Sequence, residues 1–296
     1  MSRLEPAGIL ARVGWLGLGA MGVPMARRLA DAGHRLSAYD PNPERVSALG
    51  PDVGAAASPM WAADGCDVLV VMVATPAQAE VALFGPAGAA AALRPDARVV
   101  LLATLGPAWV RGLTSRLPSG VRVVDAPVSG GVGRAHDGTL LIMTSAAEAA
   151  DLRLLSVLGE VVVVGEQPGD GQAMKMVNQV LCGVHIAAAA EALALAESMG
   201  IDPELAWRTV RRGAAASFML DDRGARMVSG EFEPVRSSMS LFVKDLHLVL
   251  DEAQAARLPT AVVAAAAELF SAAAAQGRSA QDDSELYDFV RSLRRG

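Results

Sequence analysis

Short runs of apolar residues alternate with alanine-rich segments over the first 165 residues of the chain. Several of these runs are apolar throughout rather than at every second position, which is typical of strands covered on both faces of a parallel sheet. The helical segments between them indicate right-handed crossover connections and a doubly wound α/β sheet. The predicted strands are RVGWL, HRLSAY, DVLVVMV, ARVVLLA, VRVVDA, TLLIMTS and EVVVVG.

The pattern changes after Gly165. From there on the sequence shows long helical patterns and no strand-like run. One helix start is marked by Asp202, a preferred N-cap residue, and by Pro203, which is favoured at the first helical position. We therefore predict two domains joined by a long helix, an α/β domain over residues 1–165 and an all-α domain over residues 166–296.

The longest apolar stretch runs from Val180 to Ala196 and contains His185 and Glu191. It falls short of the roughly 20 residues that a membrane span requires, so we predict a buried helix and no membrane association. A long apolar helix in a small helical domain also favours packing against another subunit. We expect a homodimer or a homotetramer.

Composition limits which partners the chain is expected to bind and in which cellular compartment it is expected to lie. Of the 296 residues, 52% are hydrophobic and 20% are charged, which is the balance of a globular protein. The net charge of -6 and the lack of a basic run argue against a nucleic-acid partner. Cys66 and Cys182 lie far apart and, like the histidines, show no metal-ligand spacing. The N-terminal segment lacks the pattern of a signal peptide, so we expect a cytoplasmic chain without a metal site.

A glycine-rich segment, GLGAMG, lies between the first predicted strand and the helical pattern MGVPMARRLADAG. Glycines at this spacing, between a strand and a helix, are typical of the loop that binds the pyrophosphate of a dinucleotide in Rossmann-type domains. A simple strand–helix turn is the alternative. The residues predicted to bind a cofactor in this loop are Gly17, Leu18, Gly19, Ala20, Met21 and Gly22.

An acidic residue, Asp40, ends the second predicted strand about 20 residues after the glycine loop. A carboxylate at this point accepts hydrogen bonds from the adenosine ribose and repels a 2′-phosphate, which favours NAD over NADP. Two alternatives stay open. Asp40 could merely cap the following turn and helix, and Arg45 could lie near a 2′-phosphate, so that NADP is also possible.

The segment GDGQAMKMVNQ places three polar side chains at the start of the long helix. Lys175, Asn178 and Gln179 are spaced at i, i+3 and i+4, so they share one face of the helix. Taken alone, a lysine at this point is either a solvated surface charge or a group placed for chemistry.

Four ordered blocks of sequence carry a family resemblance. They are GLGAMGVPMARRL, DAPVSGGVGRAHDGTL, GDGQAMKMVNQ and LFVKDLHLVLDEA. Together they resemble the β-hydroxyacid dehydrogenases, the family that includes 3-hydroxyisobutyrate dehydrogenase and tartronate semialdehyde reductase, over nearly the whole chain. The resemblance implies an NAD(P)-dependent oxidoreductase that interconverts a short, carboxylated β-hydroxyacid and its semialdehyde or keto form.

The same resemblance assigns a role to Lys175. In the family the lysine of this helix stands beside the hydroxyl-bearing carbon, so Lys175 is expected to be the general acid/base. Burial would lower the pKa of such an amine toward working pH. The amides of Asn178 and Gln179 are expected to hold the amine and the substrate oxygens in a cleft between the domains.

Two further sets of binding residues follow from the blocks. The substrate carboxylate of the family lies against a Ser-Gly-Gly turn, which corresponds to Ser129, Gly130 and Gly131, where backbone N–H groups and a hydroxyl can bind an anion. Lys244 resembles the family lysine that reaches toward both nicotinamide and substrate.

The remaining cofactor contacts depart from the family pattern. The Leu-Pro or Val-Pro pair after the family's fourth strand corresponds to Val73 and Ala74, with Gln78 at the next contact position. The Asp-Ser-Thr after the next strand reads Leu-Ala-Thr, which keeps the hydroxyl of Thr104 for the nicotinamide side. These four residues complete the predicted cofactor site.

Two positions in the helical domain differ from many relatives. Phe218 stands where a tryptophan is common, and Arg236 stands where a phenylalanine is usual. Both changes are expected to alter the pocket for the substrate tail. Among the histidines, only His247, which follows the Lys244 block, is a candidate to line the site.

Two other functions stay open. An imine reductase has the same two-domain plan but usually carries Asp or Tyr where Lys175 stands. A non-catalytic scaffold or sensor that binds the dinucleotide would be expected to lack this lysine. Two observations would distinguish these functions: a change in NADH fluorescence on binding, and turnover of hydroxyacids that depends on Lys175.

Overall fold

The computed structural model describes residues 10–294. The chain divides into two compact units, Met1–Lys175 and Met176–Gly296. The predicted boundary at residues 165 and 166 lies ten residues before the division between the units, which falls inside the long helix.

Nine strands form a single sheet within the described part of the first unit. Their bounds are β1 (Arg12–Leu16), β2 (Arg35–Tyr39), β3 (Gly54–Ala55), β4 (Val68–Val71), β5 (Arg98–Leu101), β6 (Arg122–Asp125), β7 (Val128–Ser129), β8 (Leu140–Ser145) and β9 (Gly159–Gly165). The order is β3-β2-β1-β4-β5-β6-β8-β7, with β9 paired to β8. The five pairings from β3 to β6 are all parallel. The α/β fold class predicted from the apolar runs is confirmed.

Helices connect these strands, and several begin at residues that favour helix starts. Asn42, Ser58 and Thr75 each accept a backbone N–H of the following first turn, and each precedes a proline. The helices of this unit are α1 (Gly22–Asp31), α2 (Pro43–Ser47), α3 (Pro59–Ala63), α4 (Pro76–Phe84), α5 (Pro107–Leu113), α6 (Gly131–Asp137) and α7 (Ala149–Ser156), with a 3₁₀ turn at Ala89–Ala92.

The central strands are buried on both faces, as their unbroken apolar runs predict. All four residues of β4 are buried, and so is Trp15 of β1. The edge strand β9 differs, because Val162 and Val163 are 39% and 56% exposed. Its apolar run has the composition of a central strand, but one of its two edges has no neighbour among the described strands.

Strand β8 runs antiparallel to β6 and β7, whereas the apolar run alone was compatible with a parallel strand. Only the short helix α6 separates β7 from β8. A parallel return needs a connection of about a dozen residues or more, so the chain enters β8 from the opposite end. Strand β9 then pairs parallel to β8 after α7.

Helices make up the second unit, with no strand among its described residues. The helices are α8 (Asp170–Ser198), which begins in the first unit, α9 (Pro203–Val210), α10 (Phe218–Ser229), α11 (Met239–Ala255), α12 (Ala261–Ala273) and α13 (Leu286–Ser292), with a π turn at Ala274–Arg278 and a 3₁₀ turn at Asp283–Glu285. The predicted start of α9 is confirmed, since Asp202 accepts the N–H of Glu204. The all-α assignment is therefore confirmed.

Helix α8 is longer than the apolar stretch that predicted it. By length and composition alone it is the one described helix that could cross a membrane. Core helices meet the same criterion, and 56% of its most apolar 18-residue window is buried. The criterion is therefore weak evidence for a membrane span.

Candidate active site

The glycine loop between β1 and α1 is shaped by close backbone contacts. Gly17 has φ of +96°, and a Cβ on it would lie 2.3 Å from the carbonyl oxygen of Met72. A Cβ on Gly22 would lie 2.2 Å from the carbonyl oxygen of Gly17, so only glycine fits either position. Gly19 has open space where a Cβ would project.

The loop residues directly before α1 have backbone donors available for an anion. The N–H groups of Gly19, Ala20 and Met21 donate to no atom of residues 10–294. The first turn of α1, which follows these residues, carries no acidic side chain. Unpaired N–H groups and the positive end of the helix dipole attract a phosphate.

A groove of about 780 Å³ opens beside this loop in the first unit. The predicted residues that line it are Gly17, Gly19, Asp40, Val73, Ala74 and Gln78. Leu18 and Gly22 are buried beneath the loop, while Ala20, Met21 and Thr104 lie outside the lining. Gln78 accepts the N–H of Ala74 at 2.9 Å, which fixes the turn where the family proline is missing.

Apolar residues that the sequence did not single out form much of the groove wall. Pro59, Val81, Pro86 and Ala87 lie on this wall. Flat apolar surfaces of this kind accept an adenine ring. They come from three separate segments, so no local spacing in the sequence could have marked them.

Asp40 lies at the end of β2, in the groove, and is 8% exposed. Its carboxylate accepts the N–H of Leu18 at 2.8 Å and the N–H of Asn42 at 2.9 Å. Asp40 therefore caps the turn that follows it, and it also ties that turn to the glycine loop. The guanidinium of Arg45 lies 3.5 Å from the carboxylate and lines the same groove.

These features together fit a dinucleotide. The loop leaves N–H groups for a pyrophosphate, Asp40 offers carboxylate oxygens to a ribose, and the apolar wall offers a surface to a base. The groove residues would hold the adenosine half of the cofactor.

The Ser-Gly-Gly turn follows the short strand β7. Gly130 and Gly131 have φ of +135° and +76°, values that favour glycine. The side-chain hydroxyl of Ser129, which is partly exposed, has no hydrogen-bond partner among the described residues. The turn therefore offers a hydroxyl and a backbone without side chains at two successive positions.

Lys175 occupies the second turn of α8 and is 6% exposed. An exposed surface lysine, one of the two possibilities for this residue, is therefore excluded. Gln172, one turn earlier, ties the helix start to the sheet through Asp125. Lys175 and Lys244 are the only lysines of the chain, whereas it has 24 arginines. Arginine stays protonated in proteins and lysine can lose its proton, so the two lysines stand out chemically.

The second unit holds a buried polar group around Asp245. Its carboxylate accepts the side-chain amide of Gln179 at 2.6 Å, and the ammonium of Lys244 lies 2.7 Å away. Asp245 is 8% exposed, so two of the predicted binding residues share one buried carboxylate. Asn178 lies one turn before Cys182, with its side-chain oxygen 3.6 Å from the thiol sulfur.

Comparison with known proteins decides the family. Residues 12–165 match the family described as "NAD binding domain of 6-phosphogluconate dehydrogenase". Residues 169–290 match "NAD-binding of NADP-dependent 3-hydroxyisobutyrate dehydrogenase". The chain belongs to the β-hydroxyacid dehydrogenase family.

Relatives within this family are similar over almost their full length. An L-threonate dehydrogenase of Cupriavidus necator is 40% identical over 93% of this chain and 94% of its own. A 2-hydroxy-3-oxopropionate reductase of Escherichia coli is 34% identical over 93% and 95%. A solved 3-hydroxyisobutyrate dehydrogenase of Salmonella typhimurium is 36% identical, with a TM-score of 0.86 over 94% of this chain and 99% of its own. This β-hydroxyacid dehydrogenase is therefore an enzyme, an NAD(P)-dependent dehydrogenase or reductase of a small hydroxyacid.

Three other residues considered for the site of this β-hydroxyacid dehydrogenase lie at the surface of the second unit. Phe218 is 49% exposed and lines a shallow basic pocket with Arg208, Arg211 and Arg212. Arg236 is exposed. His247 is exposed, and its ring nitrogen lies 2.6 Å from the carbonyl oxygen of Val243 on its own helix.

Proposed function

We propose that this enzyme oxidises a short hydroxyacid, or reduces the matching aldehyde or ketone, with Lys175 as the general acid/base. The burial of Lys175 is the observation that carries the proposal. A lysine that is 6% exposed is largely withdrawn from bulk water. Its amine can take up the hydroxyl proton of the substrate and return it in the reverse direction.

The choice of lysine supports a proton-transfer role. In a chain that otherwise uses arginine for its cations, lysine occurs only at positions 175 and 244. A guanidinium at position 175 would keep the charge but could not exchange a proton. The dinucleotide, when bound, accepts hydride from the substrate carbon or returns it.

The substrate carboxylate is proposed to bind at Ser129, Gly130 and Gly131. The hydroxyl of Ser129 and the adjacent backbone N–H groups can donate to its oxygens. Asn178 is proposed to orient the substrate hydroxyl. Lys244 and Gln179, which Asp245 holds in place, are proposed to bind the substrate and the nicotinamide side.

For the cofactor we propose a preference for NAD. Asp40 can accept the ribose hydroxyls through the oxygen lone pairs that its two N–H contacts leave available, and its charge opposes a 2′-phosphate. Arg45 in the same groove reduces this penalty, so NADP is expected to be used with lower efficiency. Val73, Ala74, Gln78 and Thr104 are proposed to contact the rest of the cofactor.

Among small hydroxyacids, L-threonate is the first candidate. The relative that carries this name has the highest identity of those described above, 40%. L-threonate has a carboxylate and vicinal hydroxyls, and these groups match a site built from N–H donors, hydroxyls and amides. A kinetic panel of L-threonate, 3-hydroxyisobutyrate, 3-hydroxypropionate, glycerate and 2-hydroxy-3-oxopropionate, each with both cofactors, tests the assignment. A cyclic imine in the same panel tests the imine reductase alternative.

The decisive variant is Lys175→Ala. We expect kcat to fall about 10²–10⁴-fold with NADH binding retained, because a general acid/base is lost while the groove stays intact. The kcat of Lys175→Arg should fall by a similar factor. The kcat of Lys244→Arg should fall less, because position 244 is proposed to need only a positive charge. Parental turnover in Lys175→Ala would show that another group moves the proton.

A further inference from the structure

One buried amide, that of Gln172 in the first turn of α8, contacts both the segment that follows β5 and the carboxyl end of β6. Gln172 is 0% exposed. Its side-chain oxygen accepts the N–H groups of Leu105 and Gly106 at 2.9 and 3.1 Å. Its side-chain nitrogen donates to the carbonyl oxygen of Ala103 at 3.0 Å and to the carboxylate of Asp125 at 2.9 Å. Every donor and acceptor site of the amide is therefore used.

Asp125, at the carboxyl end of β6, binds backbone N–H groups at the same start of α8. It is 0% exposed, and one of its oxygens accepts the N–H groups of Gly169 and Gln172, each at 2.9 Å. These are donors that a helix start leaves without partners inside the helix. The N–H of Gly171 donates to the hydroxyl of Ser145 at 3.1 Å.

The contact is too close for any side chain between the helix and the sheet. A Cβ on Gly171 would lie 2.7 Å from the carbonyl oxygen of Met143 and 2.9 Å from the carboxylate of Asp125. The first turn of α8 therefore has one position on the sheet, which the Asp125 and Gln172 hydrogen bonds define.

Two candidate site residues depend on this position. Lys175 follows Gln172 by three residues, so both lie on one face of α8, one turn apart. Thr104 lies between Ala103 and Leu105, the two residues whose backbone groups Gln172 binds. A single side chain thus fixes the backbone on both sides of Thr104 and the helical turn that carries Lys175.

We propose that Gln172 is a positioning residue for the reaction, with Asp125 as its anchor, and that the pair sets Lys175 relative to the segment bearing Thr104. This rests on the proposed role of Lys175. A cap for α8 alone would need only the carboxylate of Asp125. The three bonds from Gln172 to residues 103–106 add nothing to the helix start. They fix the distance between Lys175, which is proposed to meet the substrate, and Thr104, which is proposed to contact the cofactor.

A reciprocal exchange tests the pair directly. Asp125→Asn places an amide donor against the amide donor of Gln172, and Gln172→Glu places a carboxylate against a carboxylate. The double variant restores one donor and one acceptor. In the double variant the side chain at position 172 no longer donates to the carbonyl oxygen of Ala103, but it still accepts the N–H groups of Leu105 and Gly106.

We expect kcat with L-threonate, or with the fastest acid of the panel, to fall about 10²-fold in each single variant, the loss typical of a misplaced reacting group. The double variant should recover at least about tenfold of this loss. NADH binding, followed by fluorescence, should stay near the parental value, because the groove residues are unchanged. Should a charged variant fail to fold, Gln172→Met, which keeps the length of the side chain and removes all four bonds, takes its place with the same expected loss.

A second readout does not depend on activity. With ¹⁵N-labelled lysine the spectrum contains only two side-chain amines, and Lys244→Arg assigns them. The Lys175 signal should shift or broaden in the single variants and return toward its parental position in the double variant. If the pair had a purely structural role, the single variants would have a lower melting temperature, and the Lys175 signal would not return toward its parental position in the double variant.

Asp151→Asn serves as the matched control. Asp151 is an equally buried acid, 1% exposed, in the capping box of α7 in the same unit. It should lose stability and keep kcat. The proposal is overturned if the Gln172 and Asp125 variants lower kcat no more than this control, or if the losses multiply in the double variant. Parental turnover in Lys175→Ala would instead overturn the proposed function, whatever the pair does.

Discussion

At the scale of single residues, Ser129 offers a direct test of the carboxylate site. Its hydroxyl has no partner among residues 10–294, so it is available to a ligand. Ser129→Ala should raise KM for the acid roughly tenfold and leave kcat nearly unchanged, because a hydrogen bond to a charged group contributes about 1.5–3 kcal/mol. Steady-state kinetics at fixed cofactor measure both constants.

Ser115→Ala provides the control for this variant. The hydroxyl of Ser115 is exposed and donates to the carbonyl oxygen of Gly112 on its own turn. Its loss should leave both constants as in the parent. An unchanged KM in Ser129→Ala would remove the turn from the substrate site.

Arg45 decides how strictly the cofactor is chosen. Its guanidinium lies in the groove, is 52% exposed and is only 3.5 Å from Asp40. Arg45→Ala should lower kcat/KM with NADP about tenfold and change it little with NAD. The reason is that the guanidinium of Arg45 can pair with a 2′-phosphate, which NAD lacks. The parental enzyme should itself show the higher kcat/KM with NAD, and the opposite order would refute the preference.

Residue spacing in the sequence was sufficient for the polar part of the groove, but not for its apolar wall or for the network around Gln172. Gly17, Gly19 and Asp40 follow from local rules about loops and strand ends, and all three line the groove. The partners of Gln172 lie 47 to 69 residues away along the chain. No periodicity indicates such contacts, although a carboxylate at the end of an apolar strand, as in VRVVD, is a signal worth testing.

At the scale of elements, the start of α11 depends on a buried ionic cluster. The N–H of Met239 donates to the carbonyl oxygen of Gln281. Asp282, which follows Gln281 in the chain, accepts the N–H of Arg236 at 2.9 Å. Arg226 pairs with the same carboxylate at 2.7 Å, and Asp282 is 0% exposed. The cluster fixes the beginning of the helix that carries Lys244.

This cluster gives a pH prediction. Burial alone would raise the pKa of Asp282, but hydrogen bonds from Ser284, Arg236 and Arg226 outweigh it, so the net pKa is lowered. A depressed folded-state pKa contributes stability above the unfolded value of about 3.9, and this contribution is lost as pH falls through the folded value. Asp282→Asn should therefore cost about 3 kcal/mol at pH 7 and progressively less below about pH 4.

Urea unfolding at a series of pH values measures the difference. Glu204→Gln is the control, since Glu204 forms an exposed i,i+4 pair with Arg208 in the same unit. Its loss should stay within about 0.5 kcal/mol. A cost for Asp282→Asn that does not shrink in acid would contradict the assignment of the carboxylate charge.

The elements themselves were largely readable from the sequence. Each of the seven apolar runs contains a strand of the sheet. The two-residue strands β3 and β7 were missed, because two residues are too few to show a period. The direction of β8 depends on the length of the connection through α6, which apolar pattern does not report.

At the scale of the whole molecule, α8 exposes an apolar stripe. Met174, Val177, Leu181 and Leu195 are 42%, 58%, 53% and 59% exposed, at spacings of three, four and fourteen residues that keep them near one face. Exposed apolar stripes of this kind mark subunit interfaces. We therefore keep the expectation of a homodimer or homotetramer.

Light scattering at micromolar concentration tests this expectation. Leu181→Glu should lower the measured mass, since a buried charge in an interface is costly. Leu205→Glu, at a leucine of α9 that is 59% exposed, is the comparison and should have a smaller effect. A parental mass of one chain would exclude the oligomer.

The absence of room at Gly171 has a consequence for laboratory evolution of this enzyme. Libraries that vary Phe218 or Arg236 change exposed surface and leave the backbone in place. Any replacement at Gly171 must instead lift the helix away from Met143. Selections for new substrates should therefore accumulate changes in the helical unit while this position stays invariant in every active clone.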